Sequence, residues 1–187
     1  MYAIASGCVE ICSLHVEGQR YVRRFAELGL IVGLMSMFDG EGAPHLYLAH
    51  LPTQLVFVPK LTLLPILSRN DQLWLSIVRQ MAAYQRQFLS SMADGLFQTL
   101  RVRLARAVVS LTRAYGTKAV GQQTIRIRLT QEDLGALLGV TRQSISKELR
   151  LLELEGVLRV GYGKLMVTDQ DALGRVADEP ATGGVLT

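Results

Sequence analysis

The chain has 187 residues, of which 49% are apolar, and carries a formal net charge of +4 at pH 7. This length allows one medium domain or two small ones with a buried core. The apolar runs are too short or too interrupted for a membrane span, and the N-terminus lacks the pattern of a signal peptide, so we expect a cytoplasmic protein with no membrane partner.

Residues 1–68 predict a β-rich domain. Short apolar runs, among them 9–16, 46–48 and 55–58, are separated by glycine-containing turns. Strands at this spacing indicate a sandwich or jelly roll. We expect one short helix, near 61–67, to close the domain.

The cysteines and histidines do not indicate redox or metal chemistry. In a strand, Cys8 and Cys12 would lie about 13 Å apart, too far for a disulfide between them, and we expect both to be buried. His15, His45 and His50 match no metal motif, and His45 with His50 cannot supply the ligands of a metal-dependent β-barrel oxygenase. We therefore predict no catalytic residue, no metal site, no cofactor and no enzymatic activity.

Residues 69–93 predict a long helix with two apolar stripes. The first recurs at helical spacing and is predicted to form a dimer interface: Leu73, Ile77, Met81, Tyr84, Phe88 and Met92. The second stripe contains Leu75, Val78, Ala82 and Leu89. A helix that is apolar on two faces needs two partners, here the β-rich domain and the same helix of a second subunit. One wide core stripe in a monomer is the alternative.

We expect Asp94-Gly95 to interrupt this helix, and a further helix to run from Leu96 to Tyr115. A loop at 116–121 and a strand at 124–129 would follow. Between Asp94 and Thr168 the sequence has 12 Lys/Arg against 6 Asp/Glu, a net +6. Such a concentration of positive charge attracts the phosphate backbone of nucleic acid.

The segment from Leu129 to Val167 predicts two short helices around a glycine turn. Thr130 and Asp133 form an approximate capping box before the first helix. Gly135 lets the helices approach closely, and Gly139 accepts the positive φ of the turn. Thr141 caps the second helix.

The second helix has an apolar inner stripe and a polar outer face. We expect Ile145, Leu149 and Leu152 to point inward, with Leu151 and Leu154 widening the stripe. Short strands at 157–160 and 165–168 then form a hairpin. This order predicts a winged helix-turn-helix, which places its second helix in the major groove of double-stranded DNA.

The order of these elements resembles the Crp/Fnr family of bacterial transcription regulators, most specifically in LTQEDLGALLGVTRQSISKELRLLELEGVL. The resemblance implies an α+β fold with a partial β-roll (jelly-roll) sensor domain at 1–68, a dimerisation helix at 69–93 and a C-terminal winged helix-turn-helix at 94–174. We expect residues 175–187 to be a disordered tail. Compared with the family's roll, the chain is expected to lack an opening helix and the first strands.

The resemblance also implies site residues. The positions with which the family reads bases hold Arg142, Gln143, Ser146 and Lys147. Arg142 and Lys147 suit guanine, whereas Gln143 suits adenine, so the half-site is expected to depart from the family's common one. Four further residues are expected to contact phosphates: Thr130, Thr141, Ser144 and Lys164.

The sensor positions depart from the pattern of the cyclic-nucleotide-binding members. Leu34 stands where those members have a glutamate for the ribose, and Pro44 where they have an arginine for the phosphate. The helix positions that meet the base hold Phe88 and Leu89. We therefore do not expect cAMP binding, and either a different small molecule or no ligand remains open.

Together these features predict a homodimeric, sequence-specific DNA-binding regulator that binds a two-fold symmetric operator, with RNA polymerase as a further candidate partner. The competing interpretation is a small-molecule sensor or protein-interaction module without specific DNA binding.

Overall fold

The computed structural model describes residues 1–118 and 125–180. The chain divides into two compact units, Met1–Met92 and Ala93–Thr187. Among the described residues, none of the helices combines the length and apolar character that crossing a bilayer requires. The predicted α+β class, with a β-rich first part and a winged helix-turn-helix at the end, is confirmed.

The N-terminal unit contains short strands, two short helices and most of one long helix. Its strands are β1 (Tyr2–Ser6), β2 (Val9–Leu14), β3 (Arg20–Ala26), β4 (Ile31–Val32), β5 (Leu46–Ala49) and β6 (Gln54–Phe57). Its helices are α1 (Leu34–Asp39), α2 (Lys60–Leu67) and α3 (Asp71–Phe97). The strands pair antiparallel in two sheets, one with the order β4-β1-β6 and the other with the order β3-β2-β5.

The core of this unit has two clusters. The first is formed by strand residues: Ile4, Val9, Ile11, Ala26 and Val32. The second lies among the three helices: Leu34, Met37, Leu63, Leu67 and Ile77. Cys8 and Cys12 are both buried, as predicted. Burial and then the neighbouring Glu10 raise the pKa of the Cys12 thiol to about 11, so this thiol stays protonated at neutral pH.

Helix α3 packs on its own chain with the stripe that was predicted to face a partner. Ile77 is buried in the helical cluster and Leu73 packs against it, so the predicted place of Ile77 in a dimer interface is wrong. Tyr84 and Phe88 lie under arginine side chains of β3. The second stripe is the exposed one: Leu75, Val78, Ala82, Leu89. Met81 and Met92 of the first stripe are exposed as well.

The C-terminal unit begins with α4 (Leu100–Tyr115), followed by β7 (Thr117–Lys118) and β8 (Ile125–Ile127). The predicted loop at 116–121 and strand at 124–129 fall partly on residues 119–124, which lie outside the described residues. The remaining elements are α5 (Gln131–Leu138), α6 (Arg142–Leu154), β9 (Leu158–Gly161), β10 (Lys164–Val167) and α7 (Gln170–Ala177). The strands form an antiparallel sheet with the order β7-β8-β10-β9.

Helix α7 corrects the predicted boundary at residue 175. The helix continues to Ala177, and Val176 and Ala177 are buried. The carbonyl oxygen of Ala177 accepts a hydrogen bond from Arg106 Nε at 2.7 Å, which joins the end of α7 to α4. An apolar face with a polar anchor therefore keeps this segment folded. The rest of the predicted tail, 181–187, lies outside the described residues.

The predicted interruption at Asp94-Gly95 is also wrong, because α3 continues to Phe97. A single glycine inside a helix costs only about 1 kcal/mol relative to alanine, which the other turns of a long helix can offset. Asp94 also pairs with Arg106 of α4. The chain turns instead at Thr99, whose side chain accepts from the backbone N–H of Val102 and caps α4.

Substitution of Gly95 by alanine tests the continuity of α3. No neighbouring atom lies within 4 Å of the added Cβ. We expect Gly95→Ala to raise the free energy of unfolding by up to about 1 kcal/mol, measured by thermal unfolding with circular dichroism, because alanine loses less backbone entropy. Gly29→Ala is the matched control: its Cβ also meets nothing, but φ is +84°, so we expect a loss of about 1–2 kcal/mol. Destabilisation by Gly95→Ala would contradict a continuous helix.

Candidate nucleic-acid interface

The first helix of the helix-turn-helix begins at a complete capping box. Thr130 Oγ1 accepts a hydrogen bond from the backbone N–H of Asp133 at 3.1 Å, and Asp133 Oδ2 accepts from the backbone N–H of Thr130 at 2.9 Å. The two side chains also bond each other at 2.7 Å. These bonds satisfy N–H groups that a helix start leaves without a partner, so they fix where α5 begins.

The turn between α5 and α6 depends on two glycines with different roles. A Cβ on Gly135 would lie 2.8 Å from the carbonyl oxygen of Val140, so only glycine lets the turn pass this close to α5. In the same place the backbone N–H of Val140 donates to the carbonyl oxygen of Gly135 at 3.0 Å. Gly139 adopts a left-handed conformation with φ of 67° and ends α5.

Helix α6 is capped by Thr141, whose Oγ1 accepts from the backbone N–H of Ser144 at 3.2 Å. Its inner face consists of Ile145, Leu149 and Leu152, which are at most 1% exposed. Leu151 and Leu154 were predicted to widen this face but are 40% and 78% exposed. They lie on other sides of the helix because their positions do not follow the spacing of the buried residues.

The residues predicted to read bases share one exposed face of α6. Arg142, Gln143, Ser146 and Lys147 are all exposed, and the buried stripe fixes the rotation of the helix that presents them. This arrangement puts two cationic side chains, one amide and one hydroxyl within the first turns of the helix. Such groups can donate to, and in part accept from, the edges of bases in the major groove.

The residues predicted to contact phosphates lie at the start of each helix and on the hairpin. Thr130, Thr141 and Lys164 are exposed, and Ser144 is half-buried. The hydroxyls of Thr141 and Ser144 lie 3.0 Å apart and hydrogen-bond each other, so both contribute to the cap of α6. A helix start with oriented N–H groups is a favourable place for a phosphate.

The hairpin β9–β10 is the wing. Glu153 Oε1 of α6 accepts from the backbone N–H of Val160 at 3.0 Å, which ties the wing to the recognition helix. Leu158, Leu165 and Val167 are buried beneath it. The tip carries Tyr162, which is fully exposed. The wing therefore has a fixed base and a tip that is free to meet another molecule.

Three of the arginines on α4 hold the unit together. Arg101 forms a salt bridge with Glu155 and donates a hydrogen bond to its carboxylate. That hydrogen bond raises the pKa of Arg101 above its ordinary value. Arg103 donates to the carbonyl oxygen of Leu138 at the end of α5, and Arg106 pairs with Asp94. The positive charge of this segment is therefore partly committed to internal contacts. The cations on α6 and the wing, by contrast, are exposed.

Comparison with known proteins agrees with this geometry. Residues 102–176 match the model of the Crp-like helix-turn-helix domain. The anaerobic regulatory protein of Bacillus subtilis is 26% identical over 175 residues, which cover 92% of this chain and 74% of that protein. The fumarate and nitrate reduction regulatory protein of Escherichia coli K12 is 25% identical over 180 residues, covering 95% and 70%. Residues 102–176 belong to the Crp-like helix-turn-helix family, and the chain is a transcription regulator of the Crp/Fnr type.

The fold agrees with this membership along almost the whole chain. A transcriptional regulator of the CRP/FNR family from Thermus thermophilus superposes with a TM-score of 0.82 and 21% sequence identity, covering 95% of this chain and 87% of that one. Because the match extends beyond residues 102–176, the β-rich unit and α3 also have the Crp/Fnr fold. The family is one of DNA-binding regulators rather than enzymes.

Two further exposed cations lie on the same elements, α6 and the wing, as predicted contacts. Arg150 is exposed and follows Gln143 by seven residues, which puts it on the same face of α6. Arg159 is exposed on β9 of the wing. The helical spacing could have identified Arg150 from the sequence. The position of Arg159 depends on the register of β9 and β10, which the sequence alone does not determine.

The sensor positions that depart from the nucleotide-binding pattern have structural roles or face solvent. Leu34 begins α1 and is buried with Met37 and Leu63. Pro44 is exposed. Burial and the nearby Arg23 lower the pKa of half-buried His45, which favours its neutral form. A hydrophobic side chain in the core cannot accept a hydrogen bond from a ribose hydroxyl.

A methyl group at Gly135 tests the close approach of α5 and α6. We expect Gly135→Ala to lower the free energy of unfolding by about 1–3 kcal/mol, because the backbone at Val140 must move and its hydrogen bond lengthens. Gly174→Ala in α7 is the control, since no atom lies within 4 Å of its added Cβ. We expect that change to be neutral or stabilising. Urea unfolding measures both, and equal effects of the two substitutions would contradict the steric argument.

Proposed function

We propose that this Crp/Fnr regulator acts as a homodimer that binds a two-fold symmetric operator in double-stranded DNA. The observation that carries the proposal is the row of exposed polar side chains on α6, opposite a fully buried apolar stripe. A helix held in this way can enter the major groove without exposing its apolar face. A regulator that binds the chromosome acts in the cytoplasm, and at promoters it meets RNA polymerase as a candidate partner.

The proposed contacts divide into those that read sequence and those that fix register. We propose that Arg142, Gln143, Ser146 and Lys147 contact bases, with the two cations on guanine and Gln143 on adenine. Contacts to phosphates from Thr130, Thr141, Ser144 and Lys164 would orient the unit on the duplex. In a two-fold dimer the half-sites would lie one helical turn apart, about 34 Å.

The base contacts are tested by binding of the full chain to DNA selected from a random pool. We expect Arg142→Ala to weaken binding to the selected site by about 1–3 kcal/mol and to relax the preference at one base pair, because a bidentate contact to guanine is lost. Arg175→Ala, which removes an exposed cation at the end of α7, is the control with the same change in charge. It should leave the base preference unchanged.

A loss of affinity that is equal for all sequences would show that Arg142 contacts only phosphate. If the chain selects no sequence, and its complexes with DNA form no better than those of the Arg142→Ala variant, the proposal fails. Titration with salt supports these measurements, because phosphate contacts make the affinity fall as the salt concentration rises.

The proposed dimer uses the exposed stripe of α3. Leu75, Val78, Ala82, Gln85, Leu89 and Met92 follow one another at alternating intervals of three and four residues, and all six are exposed. This spacing is that of a coiled-coil seam. Leu89 and Met92 are 55% and 52% exposed, which is unfavourable for apolar side chains unless a partner covers them. A second copy of α3 supplies the same pattern.

We expect Leu89→Lys to shift the chain from dimer to monomer, measured by sedimentation equilibrium, because a charge in the seam would have to be desolvated. Ser90→Lys introduces the same side chain at the next residue, on the solvent face of the helix, and should leave the dimer intact. A protein that stays dimeric with Lys at position 89 would place the interface elsewhere.

We further propose that the β-rich unit is a sensor for an effector that is not a cyclic nucleotide. Leu34 and Pro44 support this exclusion, because neither can make the contacts that a ribose and a cyclic phosphate need. Titration of the full chain with cAMP tests the exclusion directly.

A further inference from the structure

Strand β6 forms one edge of its sheet. In the part of the chain that the structure describes, β6 pairs with β1 alone, at the end of the order β4-β1-β6. All four of its residues are exposed. Three of them are apolar, and Leu55, Val56 and Phe57 are 47%, 52% and 59% exposed. An unpaired edge offers N–H and C=O groups to another strand, so proteins usually protect it.

The hydrogen bonds to β1 determine which backbone groups of β6 point outward. The backbone nitrogen of Met1 donates to the carbonyl oxygen of Val58 at 3.2 Å, and Val58 donates back to Met1 at 3.0 Å. Hydrogen-bonded and non-hydrogen-bonded pairs alternate along an antiparallel ladder. In this register Val56 also directs its backbone groups toward β1. Leu55 and Phe57 therefore direct their N–H and C=O groups to the free edge.

The sequence around β6 lacks the charges that usually protect a strand edge. From Leu46 to Val58 the chain contains no Asp, Glu, Lys or Arg. In contrast β3, an edge strand of the other sheet, carries Arg20, Arg23 and Arg24. Charges on an edge oppose pairing with a second copy, because like charges would face each other. The edge of β3 is protected in this way, whereas the edge of β6 is not.

We propose that the free edge of β6 pairs antiparallel with β6 of a second copy of this chain and joins the two sheets. In the symmetric register, Leu55 lies opposite Phe57 of the second copy, and Val56 lies opposite Val56 of the second copy on the two-fold axis. The outward N–H and C=O groups of both strands then all find partners, as in strand addition to a sheet edge. A charged partner would find no opposite charge in β6, whereas a second copy matches its uncharged, apolar residues.

This contact is separate from the proposed dimer of α3 and does not depend on DNA binding. A chain with two different two-fold contacts forms a closed tetramer or an open chain of dimers. Because β6 has only four residues, the contact buries little surface. We therefore expect it to form at protein concentrations of about 0.1 mM or above, where weak contacts become populated.

Cross-linking of the full chain with Val56→Cys tests the register. Opposite residues of a non-hydrogen-bonded antiparallel pair have Cα atoms about 4.5 Å apart, which a disulfide can span. We expect a mild oxidant to convert this variant into a linked dimer, measured on a non-reducing gel. The parent protein, in which Cys8 and Cys12 are buried, is the blank.

Two matched controls place the same thiol at neighbouring exposed positions. In Leu55→Cys and Phe57→Cys, the new residue is offset by two positions from its counterpart in the second copy. The Cα atoms would then be more than about 7 Å apart, too far for a disulfide. We expect at least a tenfold lower yield of linked dimer from these variants than from Val56→Cys.

A second substitution tests the backbone contact. Leu55→Pro removes an outward N–H and leaves the hydrogen bonds to β1 in place, and such edge positions tolerate proline. Leu55→Val keeps the N–H and is the control. Combined with Val56→Cys, we expect proline to abolish the linked dimer and valine to preserve it. Circular dichroism verifies that each variant is folded.

The inference is overturned if Val56→Cys gives no more linked dimer than the two control positions. It is also overturned if folded chains with proline and with valine at position 55 cross-link equally well. The linked dimer must also form when Leu89→Lys is added, since the contact does not use α3, and its loss there would contradict a separate interface. Because no DNA is present, these outcomes are independent of operator binding.

Discussion

The recognition surface depends on the contact between the backbones of α5 and the following turn. At Gly135 the missing Cβ lets the carbonyl oxygen of Val140 come within a distance that no side chain would permit. The hydrogen bond from Val140 to Gly135 then fixes the turn, and Thr141 starts α6 immediately afterwards. The direction of α6, and with it the exposure of Arg142 and Lys147, follows from this one close approach. The buried stripe of α6 can pack only once the turn has this shape.

Positive charge in the C-terminal unit has two different physical uses. Three arginines of α4 bond to Glu155, to the end of α5 and to Asp94, and so they connect α4 to neighbouring helices. Within residues 1–118 and 125–180, the cations of α6 and the wing form no salt bridge, and they are exposed to solvent. Net charge alone does not distinguish the two groups, since each arginine contributes equally to it. Only the latter group can approach a phosphate without breaking a contact that stabilises the fold.

Much of the candidate interface could be predicted from the sequence because its determinants are local. A capping box, a turn glycine and a helix N-cap each act within about four residues. The roles of Thr130, Gly139 and Thr141 can therefore be predicted from the sequence. The predictions that proved wrong concern features that depend on residues far away in the sequence. Whether Gly95 breaks α3 depends on the stability of a long helix, and the burial of Val176 and Ala177 depends on contacts with α4. The choice between the two apolar stripes of α3 likewise depends on which one the β-rich unit covers.

The two apolar stripes of α3 therefore differ in what they pack against rather than in how hydrophobic they are. Both stripes are apolar, but the stripe with Ile77 contacts α1 and α2. Nearer the C-terminal end of α3, the same face contacts the arginines of β3. A face that changes from aliphatic to aromatic and cationic cannot be a uniform core. Tyr84 and Phe88 contribute the rings that lie beneath Arg24 and Arg23 of β3. The aliphatic part of the face holds α3 on its unit, whereas the aromatic part contacts the charged side chains of β3.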